Sequence, residues 1–123
     1  MRKVLIVDDE PNIVLAIKFL MENEGFVVQT ATDGRQAIDV AKNFVPDVML
    51  LDVMMPFEDG YSVARKLRSD SNLDATSIIF LTAKGTSKDK MEGYDSGAEH
   101  YIVKPFDNDE LVEMVKDVLC LKL

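Results

Sequence analysis

Five short apolar runs alternate with segments of helical periodicity, and this alternation constrains the fold more than any other feature of the chain. Most of the runs lack the strict alternation of a strand with one solvated face. A continuous apolar run is typical of a parallel strand that helices cover on both sides. We therefore predict five strands, at Val4–Val7, Phe26–Thr30, Val48–Leu51, Ile78–Leu81 and Tyr101–Val103.

Apolar residues recur at helical spacing between and after these runs. The groups are Ile13, Ile17, Leu20 and Met21, then Ala37, Ile38 and Ala41, then Val63, Ala64 and Leu67, and finally Leu111, Val115, Val118 and Leu119. Asp107 or Asn108 is a candidate N-cap for the last helix. Strand and helix thus alternate along the whole chain.

The fourth helical segment, from about Ser87 to Ser96, is the weakest of these predictions. It offers only Met91 and Tyr94 as apolar anchors, and Gly93 lies inside it. Glycine in a helix interior costs ~0.5–1 kcal/mol relative to alanine. A weakly anchored element of this kind is a candidate for conformational change.

A strand-helix unit repeated five times predicts an α/β fold with one open parallel sheet and right-handed crossovers. We expect the flavodoxin-like, doubly wound (βα)5 arrangement in three layers, with strand order 2-1-3-4-5. Ligands in such sheets gather beyond the carboxyl ends of the strands, at the point between the first and third strands where the order reverses. Residues just after those two strands should therefore matter most.

Composition and charge narrow the classes of function. With 123 residues, 47% of them apolar, the chain fits one globular domain over residues 1–123. A net charge of −8 argues against direct binding to nucleic acid or to an anionic membrane, since either needs clustered Lys and Arg. No apolar run is long enough for a membrane helix and no secretion signal precedes the first strand, so the cytoplasm is the expected compartment. The single Cys120 should be a packed or unreactive thiol.

Acidic residues follow the first and third predicted strands. Asp8, Asp9 and Glu10 come after the first, and Asp52 comes after the third. Unit charges ~5 Å apart repel by roughly 3 kcal/mol per pair at an effective dielectric of about 20, so converging carboxylates need a counter-charge. A hard cation such as Mg²⁺ suits that ligand set. The alternative is that Asp8 and Asp9 form an ordinary solvated strand end or helix cap.

The fourth and fifth predicted strands add polar groups to the same edge. Thr82 follows the fourth strand, and Lys104 and Pro105 follow the fifth. A carboxylate nucleophile, a metal, a hydroxyl and a lysine can together accept a phosphoryl group and hold its oxygens. Taken singly, Thr82 could be a capping hydroxyl, Lys104 a solvated charge and Pro105 a strand terminator. We predict that His100 is a surface or half-buried strand residue.

Four motifs in order give the chain a strong resemblance to the receiver domains of two-component response regulators. They are VLIVDDEPNI, PDVMLLDVMMPFEDG, IIFLTAK and GAEHYIVKPF. The resemblance covers essentially the whole length, and it implies a flavodoxin-like fold and a phosphoryl group received from a phosphohistidine. The implied donor is a sensor histidine kinase or a phosphotransfer protein. The domain would catalyse its own phosphorylation and dephosphorylation without being a multiple-turnover enzyme.

The resemblance also implies a role for each chemical position. Asp52 would be the phosphoacceptor. The implied metal ligands are Asp9, Asp52 and the Met54 backbone carbonyl, with Asp8 acting through water and Mg²⁺ (or Mn²⁺) as the ion. Thr82 and Lys104 would contact the phosphoryl oxygens, and the bond between Lys104 and Pro105 would be cis.

A switch is implied as well. Tyr101 matches an aromatic side chain that turns inward when Thr82 moves toward the phosphate; alternatively, it is a core aromatic with its hydroxyl at the surface. The face formed by the fourth helix, fifth strand and fifth helix would then control a downstream effector domain or protein. Dimerisation of the domain on phosphorylation is one possible result of this switch. Many DNA-binding relatives dimerise through a network that includes a basic residue where this chain has Met114. The sequence stops at Leu123 without an effector domain, which leaves open a stand-alone receiver or a part of a longer regulator or hybrid kinase.

In this family, the residues two positions after the phosphoacceptor and two after the threonine affect how long the phosphoryl group persists. Here they are Met54 and Lys84, and neither has a carboxylate or amide to orient an attacking water. We therefore expect slow hydrolysis.

Two other classes of protein remain as rivals. A phosphatase of the haloacid-dehalogenase type also phosphorylates an aspartate beside Mg²⁺, but usually has a second aspartate at the position of Met54. A flavodoxin would bind flavin, but the first loop, DDEPN, lacks the Ser, Thr and Gly expected to wrap a phosphate.

Overall fold

The computed structural model describes residues 2–55, 58–83, 91 and 95–120. Its strands and helices are, in chain order, β1 (Lys3–Val7), α1 (Pro11–Asn23), β2 (Val27–Ala31), α2 (Gly34–Phe44), β3 (Val48–Asp52), α3 (Gly60–Arg68), a 3-10 turn (Ser71–Leu73), β4 (Ser77–Thr82), β5 (His100–Val103) and the C-terminal helix (Asn108–Cys120). The predicted fourth helical segment lies for the most part outside the described residues, as does Lys84.

The five strands form one parallel sheet in the order β2-β1-β3-β4-β5. This confirms the predicted fold class and strand order. Because β1 and β3 are neighbours and run in the same direction, their carboxyl ends lie side by side. The edges of the sheet are β2 and β5.

Helices cover both faces of the sheet, which explains the continuous apolar runs. Along β1, Leu5 and Val7 face a core with α2 and α3, whereas Val4 and Ile6 face a second core with α1 and the C-terminal helix. Both faces of a central strand therefore bury apolar side chains. The result is the expected three-layer structure.

Capping groups fix where the helices begin. The Asp33 carboxylate accepts a hydrogen bond from the Gln36 N–H at the start of α2, and Asp59 does the same for Ser62 at the start of α3. Asp107 accepts from the Asp109 N–H before the C-terminal helix, which confirms one of the two predicted caps. α1 instead begins with Pro11, whose missing N–H needs no partner there.

Two details of the sequence prediction need correction. Most of the strands are longer than predicted by one or two polar end residues, and β2 begins and ends one residue later than predicted. Cys120 is exposed, so the packed alternative is wrong and an unreactive thiol remains the prediction. No helix among the described residues is long and apolar enough to cross a membrane.

Candidate functional site

The carboxyl edge of the sheet brings three acidic side chains together. Asp8 and Asp9 follow β1, and Asp52 is the last residue of the neighbouring β3. One carboxylate oxygen from each lies within 4.8 Å of the other two. The predicted convergence of carboxylates is therefore confirmed.

The three carboxylates differ in exposure. Asp8 is fully buried and Asp52 is 4% exposed, whereas Asp9 is exposed. The Asp8 carboxylate also accepts a hydrogen bond of 3.0 Å from the Glu10 N–H, which shapes the turn into α1. The alternative of an ordinary solvated strand end is therefore wrong for Asp8.

Lys104, directly after β5, reaches across to this cluster. Its Nζ donates a hydrogen bond of 2.8 Å to Asp8 and lies 3.8 Å from the nearer oxygen of Asp52. The lysine side chain is only 18% exposed, so the alternative of a solvated surface charge is wrong. Within the part of the chain that the structure describes, Lys104 thus pairs with two of the three carboxylates, those of Asp8 and Asp52.

Burial and charge together make Asp52 an unusual carboxylate. Desolvation is the main cause that raises its pKa to about 6, and the negative charge of Asp8 adds to it. Lys104 and the Met54 N–H lower the pKa, and Asp9 raises it slightly. Burial and the neighbouring carboxylates together therefore outweigh the effect of Lys104 and the Met54 N–H on the pKa of Asp52.

The loop after β3 is held against the backbone of the Asp52 region. The Met54 N–H donates a hydrogen bond of 3.3 Å to Asp52, and the Gly60 N–H donates one of 2.8 Å to the Val53 carbonyl. A Cβ on Gly60 would clash with the Asp52 carbonyl oxygen. This close approach was not predicted from the sequence, although Asp59-Gly60 before a helix is a recognisable signal for it.

Thr82 and Tyr101 lie on β4 and β5, the two strands that follow β3 across the sheet. Thr82 is fully buried at the end of β4, and Tyr101 is 8% exposed on β5. The Tyr101 hydroxyl lies 3.1 Å from that of Tyr61, so the alternative with its hydroxyl at the surface is wrong. His100, at the start of β5, is half-buried as expected. The contact with Tyr61 was not foreseen, because nothing in the spacing links residues 61 and 101.

The cluster fits a hard divalent cation by its donor chemistry. All three candidate ligands offer carboxylate oxygens, and the cluster contains neither histidine nor cysteine. The raised pKa of Asp52 indicates that additional positive charge would be favourable there. The peptide bond between Lys104 and Pro105 is cis, as the resemblance implied.

Comparison with known proteins agrees with this geometry. The family model described as "Response regulator receiver domain" matches residues 4–116. The chain is 39% identical over 119 residues to the DNA-binding dual master transcriptional regulator RpaA of Synechocystis, and 37% identical over 117 residues to the response regulator Rre1 of the same organism. These alignments cover 97% and 94% of this chain but only 49% and 51% of the relatives. The chain thus spans about half the length of the curated relatives it matches.

Solved structures give the same result. The chemotaxis protein CheY4 of Vibrio cholerae superposes with a TM-score of 0.91 at 35% identity, covering 96% of this chain and 98% of that one. The receiver domain of the Francisella response regulator 1452 superposes with a TM-score of 0.92 at 34% identity over 100% of both chains. Family match, sequence identity and fold agree, and the chain belongs to the response regulator receiver domains.

Proposed function

We propose that residues 1–123 act as one receiver domain that accepts a phosphoryl group on Asp52 and passes the signal to an effector. The convergence of Asp8, Asp9 and Asp52 around one edge of the sheet, with Lys104 beside them, carries this proposal. The donor would be the phosphohistidine of a sensor kinase or phosphotransfer protein. The domain promotes its own phosphorylation and dephosphorylation and does not turn over small substrates.

In the transfer step, a carboxylate oxygen of Asp52 attacks phosphorus in line with the donor. A new oxygen-phosphorus bond forms while the phosphorus-nitrogen bond of the phosphohistidine breaks, and the imidazole leaves with the electron pair. Lys104, 3.8 Å from Asp52 before transfer, then pairs with a phosphoryl oxygen. Thr82 donates its hydroxyl to another phosphoryl oxygen.

Asp9, Asp52 and the Met54 backbone carbonyl would hold the Mg²⁺ or Mn²⁺ ion, with Asp8 acting through water. When bound, the ion supplies positive charge that shields the attacking carboxylate from the phosphoryl oxygens. Asp8 also keeps Lys104 in place through their 2.8 Å hydrogen bond. Exposed Asp9 leaves the cluster open to solvent on one side.

Output would follow from the movement of Thr82 toward the phosphoryl group, coupled to the position of Tyr101. The affected surface would be the predicted face of the fourth helix, β5 and the C-terminal helix, and most of that fourth helix lies outside the described residues. The partner there would be an effector domain or protein, and DNA would be contacted by that partner, not by this acidic domain. Phosphorylation-dependent dimerisation is one form that this output could take.

The decisive experiment is incubation with acetyl phosphate and Mg²⁺ followed by intact-protein mass spectrometry. Wild type should gain one phosphoryl group, and Asp52→Asn should gain none. Asp39→Asn is the matched control, because Asp39 is an exposed aspartate on α2, away from the cluster. The Asp39→Asn control should be labelled like wild type. EDTA should abolish the labelling of wild type and of this control.

Label on Asp52→Asn, or none on wild type, would contradict the proposal. Multiple turnover on small phosphoesters would favour the phosphatase alternative instead. A yellow flavin spectrum in the purified protein would favour the flavodoxin alternative.

A further inference from the structure

Two tyrosines meet inside the core that α2 and α3 form with the sheet. Tyr61, in the first turn of α3, is 3% exposed, and Tyr101 on β5 is 8% exposed. Their hydroxyl oxygens are 3.1 Å apart, which is hydrogen-bond distance. Phe80, the residue of β4 that pairs with Tyr101, contacts both rings, with centroid distances of 5.1 Å to Tyr61 and 6.1 Å to Tyr101.

The position of Tyr101 gives its side chain a second place to go. β5 is an edge strand, so a side chain at this edge can turn from the core to solvent without crossing another strand. A tyrosine hydroxyl that stays buried needs hydrogen-bond partners, whereas one at the surface has water. The bond to Tyr61 therefore favours the buried position of the Tyr101 ring.

Tyr61 is also tied to the phosphoacceptor strand. Its neighbour Gly60 donates a hydrogen bond of 2.8 Å to the Val53 carbonyl, and a Cβ at residue 60 would clash with the Asp52 carbonyl oxygen. The first turn of α3 thus contacts the backbone beside Asp52 at one residue and the side chain of Tyr101 at the next.

We propose that the Tyr61 hydroxyl is a latch that holds Tyr101 inward and so sets how much of the time the β5 surface presents an exposed aromatic ring. Tyr61 is a positioning residue in this scheme, since it acts through Tyr101. The importance of the latch for signalling rests on the proposed function. The position of the ring in the unphosphorylated protein does not.

The test uses the fact that this chain has only three tyrosines. All tyrosines are replaced biosynthetically by 3-fluorotyrosine, and the three fluorine resonances are assigned with Tyr61→Phe, Tyr94→Phe and Tyr101→Phe. A soluble gadolinium chelate then speeds the relaxation of each fluorine that solvent can reach. The relaxation rate of the Tyr101 fluorine therefore measures how exposed its ring is. Loss of one hydrogen bond worth about 0.5–1.5 kcal/mol corresponds to a change of roughly two- to tenfold in the ratio of exposed to buried rings. Tyr61→Phe should raise that ratio by this factor.

Thr76→Val is the matched control, because Thr76 is 3% exposed and its hydroxyl donates a hydrogen bond of 2.6 Å to the Pro46 carbonyl. This variant also loses a buried hydroxyl, and it should leave the exposure of Tyr101 unchanged. Tyr61→Leu provides a second variant that lacks the hydroxyl, so that one of the two decides if the other does not fold. Equal exposure of Tyr101 in wild type and in the folded Tyr61 variant overturns the latch, whatever happens to the melting temperature.

Labelling of Asp52 by acetyl phosphate is measured on the same samples. Absence of label on wild type defeats the proposed function but leaves the result for the ring intact. Normal labelling with an unmoved ring defeats only the latch.

Discussion

Lys104 illustrates at the scale of one residue what sequence can and cannot predict. Its place after the fifth strand indicated that it reaches the carboxylate cluster, and it does. The spacing could not show that it lies closer to Asp8, at 2.8 Å, than to Asp52, at 3.8 Å. That preference depends on the direction in which a long flexible side chain leaves the backbone, which the strand pattern does not encode.

The raised pKa of Asp52 predicts a pH-dependent effect of Asp52→Asn. The carboxyl keeps its proton to about pH 6 in the folded protein, above its ordinary pKa of 3.8. Ionisation therefore opposes folding: the cost is absent below about pH 3.8, grows between these values and is complete above pH 6. Without metal, Asp52→Asn should raise the free energy of unfolding by about 3 kcal/mol at pH 7.5 and by little at pH 4.

Urea denaturation in EDTA at the two pH values measures this difference. Asp39→Asn removes an exposed carboxylate and should show no such difference between the two pH values. A stabilisation by Asp52→Asn that is the same at pH 4 and pH 7.5 would show that charge on Asp52 is not the cause.

Met54 leads to a prediction about the lifetime of the phosphoryl group. Its side chain is 57% exposed and has no group that can orient water, and the sequence puts Lys84 at the second such position. Wild type should therefore lose its phosphoryl group slowly. Met54→Asn adds an amide that can orient water and should shorten the lifetime severalfold. A well-positioned general base accelerates a reaction by about 10²-fold or more, so the effect of the amide should be smaller than that. Release of phosphate after removal of acetyl phosphate measures both. Decay of wild type within seconds would contradict the prediction.

At the scale of elements, the sequence predicted strand cores better than strand ends. Apolar runs mark where a strand is buried, but β4 begins at Ser77 and β3 ends at Asp52 because parallel pairing continues through these polar residues. The left-handed backbone of Val45, with φ of 46°, was equally hidden, since valine rarely adopts it. Such features depend on neighbouring strands and turns, which local composition does not report.

Arg68, the last residue of α3, joins more elements than any pattern in the sequence indicated. Its guanidinium donates hydrogen bonds to the carbonyls of Gly97, Thr76 and Leu73 at 2.9, 2.7 and 3.2 Å. It also pairs with the Glu99 carboxylate through two bonds of 2.9 and 3.1 Å. This single side chain therefore connects α3, the 3-10 turn and the residues that precede β4 and β5.

Loss of this network should destabilise the domain. Arg68→Ala removes the guanidinium donor of the Gly97 and Thr76 carbonyls, so we expect the free energy of unfolding to fall by about 3 kcal/mol. The Leu73 carbonyl and the Glu99 carboxylate each keep a second donor, the N–H groups of Thr76 and Ile78. Arg68→Lys keeps the charge but not the planar fork, and should recover less than half of the loss. Arg35→Ala, at an exposed arginine on α2, should change the value by less than about 0.5 kcal/mol. Chemical denaturation measures all three, and a lysine variant as stable as wild type would contradict the role of the fork.

At the scale of the whole molecule, the position of the site followed from topology. Once five parallel strands in the order 2-1-3-4-5 were expected, the carboxyl ends of β1 and β3 had to meet, and so did Asp8, Asp9 and Asp52. Contacts between side chains of elements that are distant in the sequence, such as that of Tyr61 on α3 with Tyr101 on β5, need the packed structure. The topology of the sheet thus determines which carboxylates meet, and the packing of side chains determines the contacts around them.

The net charge of −8 and the clustered carboxylates predict that Mg²⁺ stabilises the whole domain. At 100 times its dissociation constant, a ligand that binds only the folded state adds about 2.7 kcal/mol, which for a domain of this size raises the melting temperature by roughly 10 °C. In chelator, Asp9→Asn and Asp52→Asn should melt above wild type, and Mg²⁺ should raise their melting temperatures less. Differential scanning calorimetry measures this, with NaCl at equal ionic strength as the control. Equal melting temperatures of all three proteins in chelator would contradict the prediction.

The contact of Gly60 with the Asp52 carbonyl has a consequence for how the chain tolerates change. No side chain fits at residue 60 unless the turn after β3 moves, although Gly60 has no chemical group to contribute. In a library of every single substitution selected for signalling, residue 60 should therefore rank with Asp52 among the least variable positions. If Asp52 has the proposed role, the shape of the backbone beside it would then restrict substitution as strictly as the carboxylate itself.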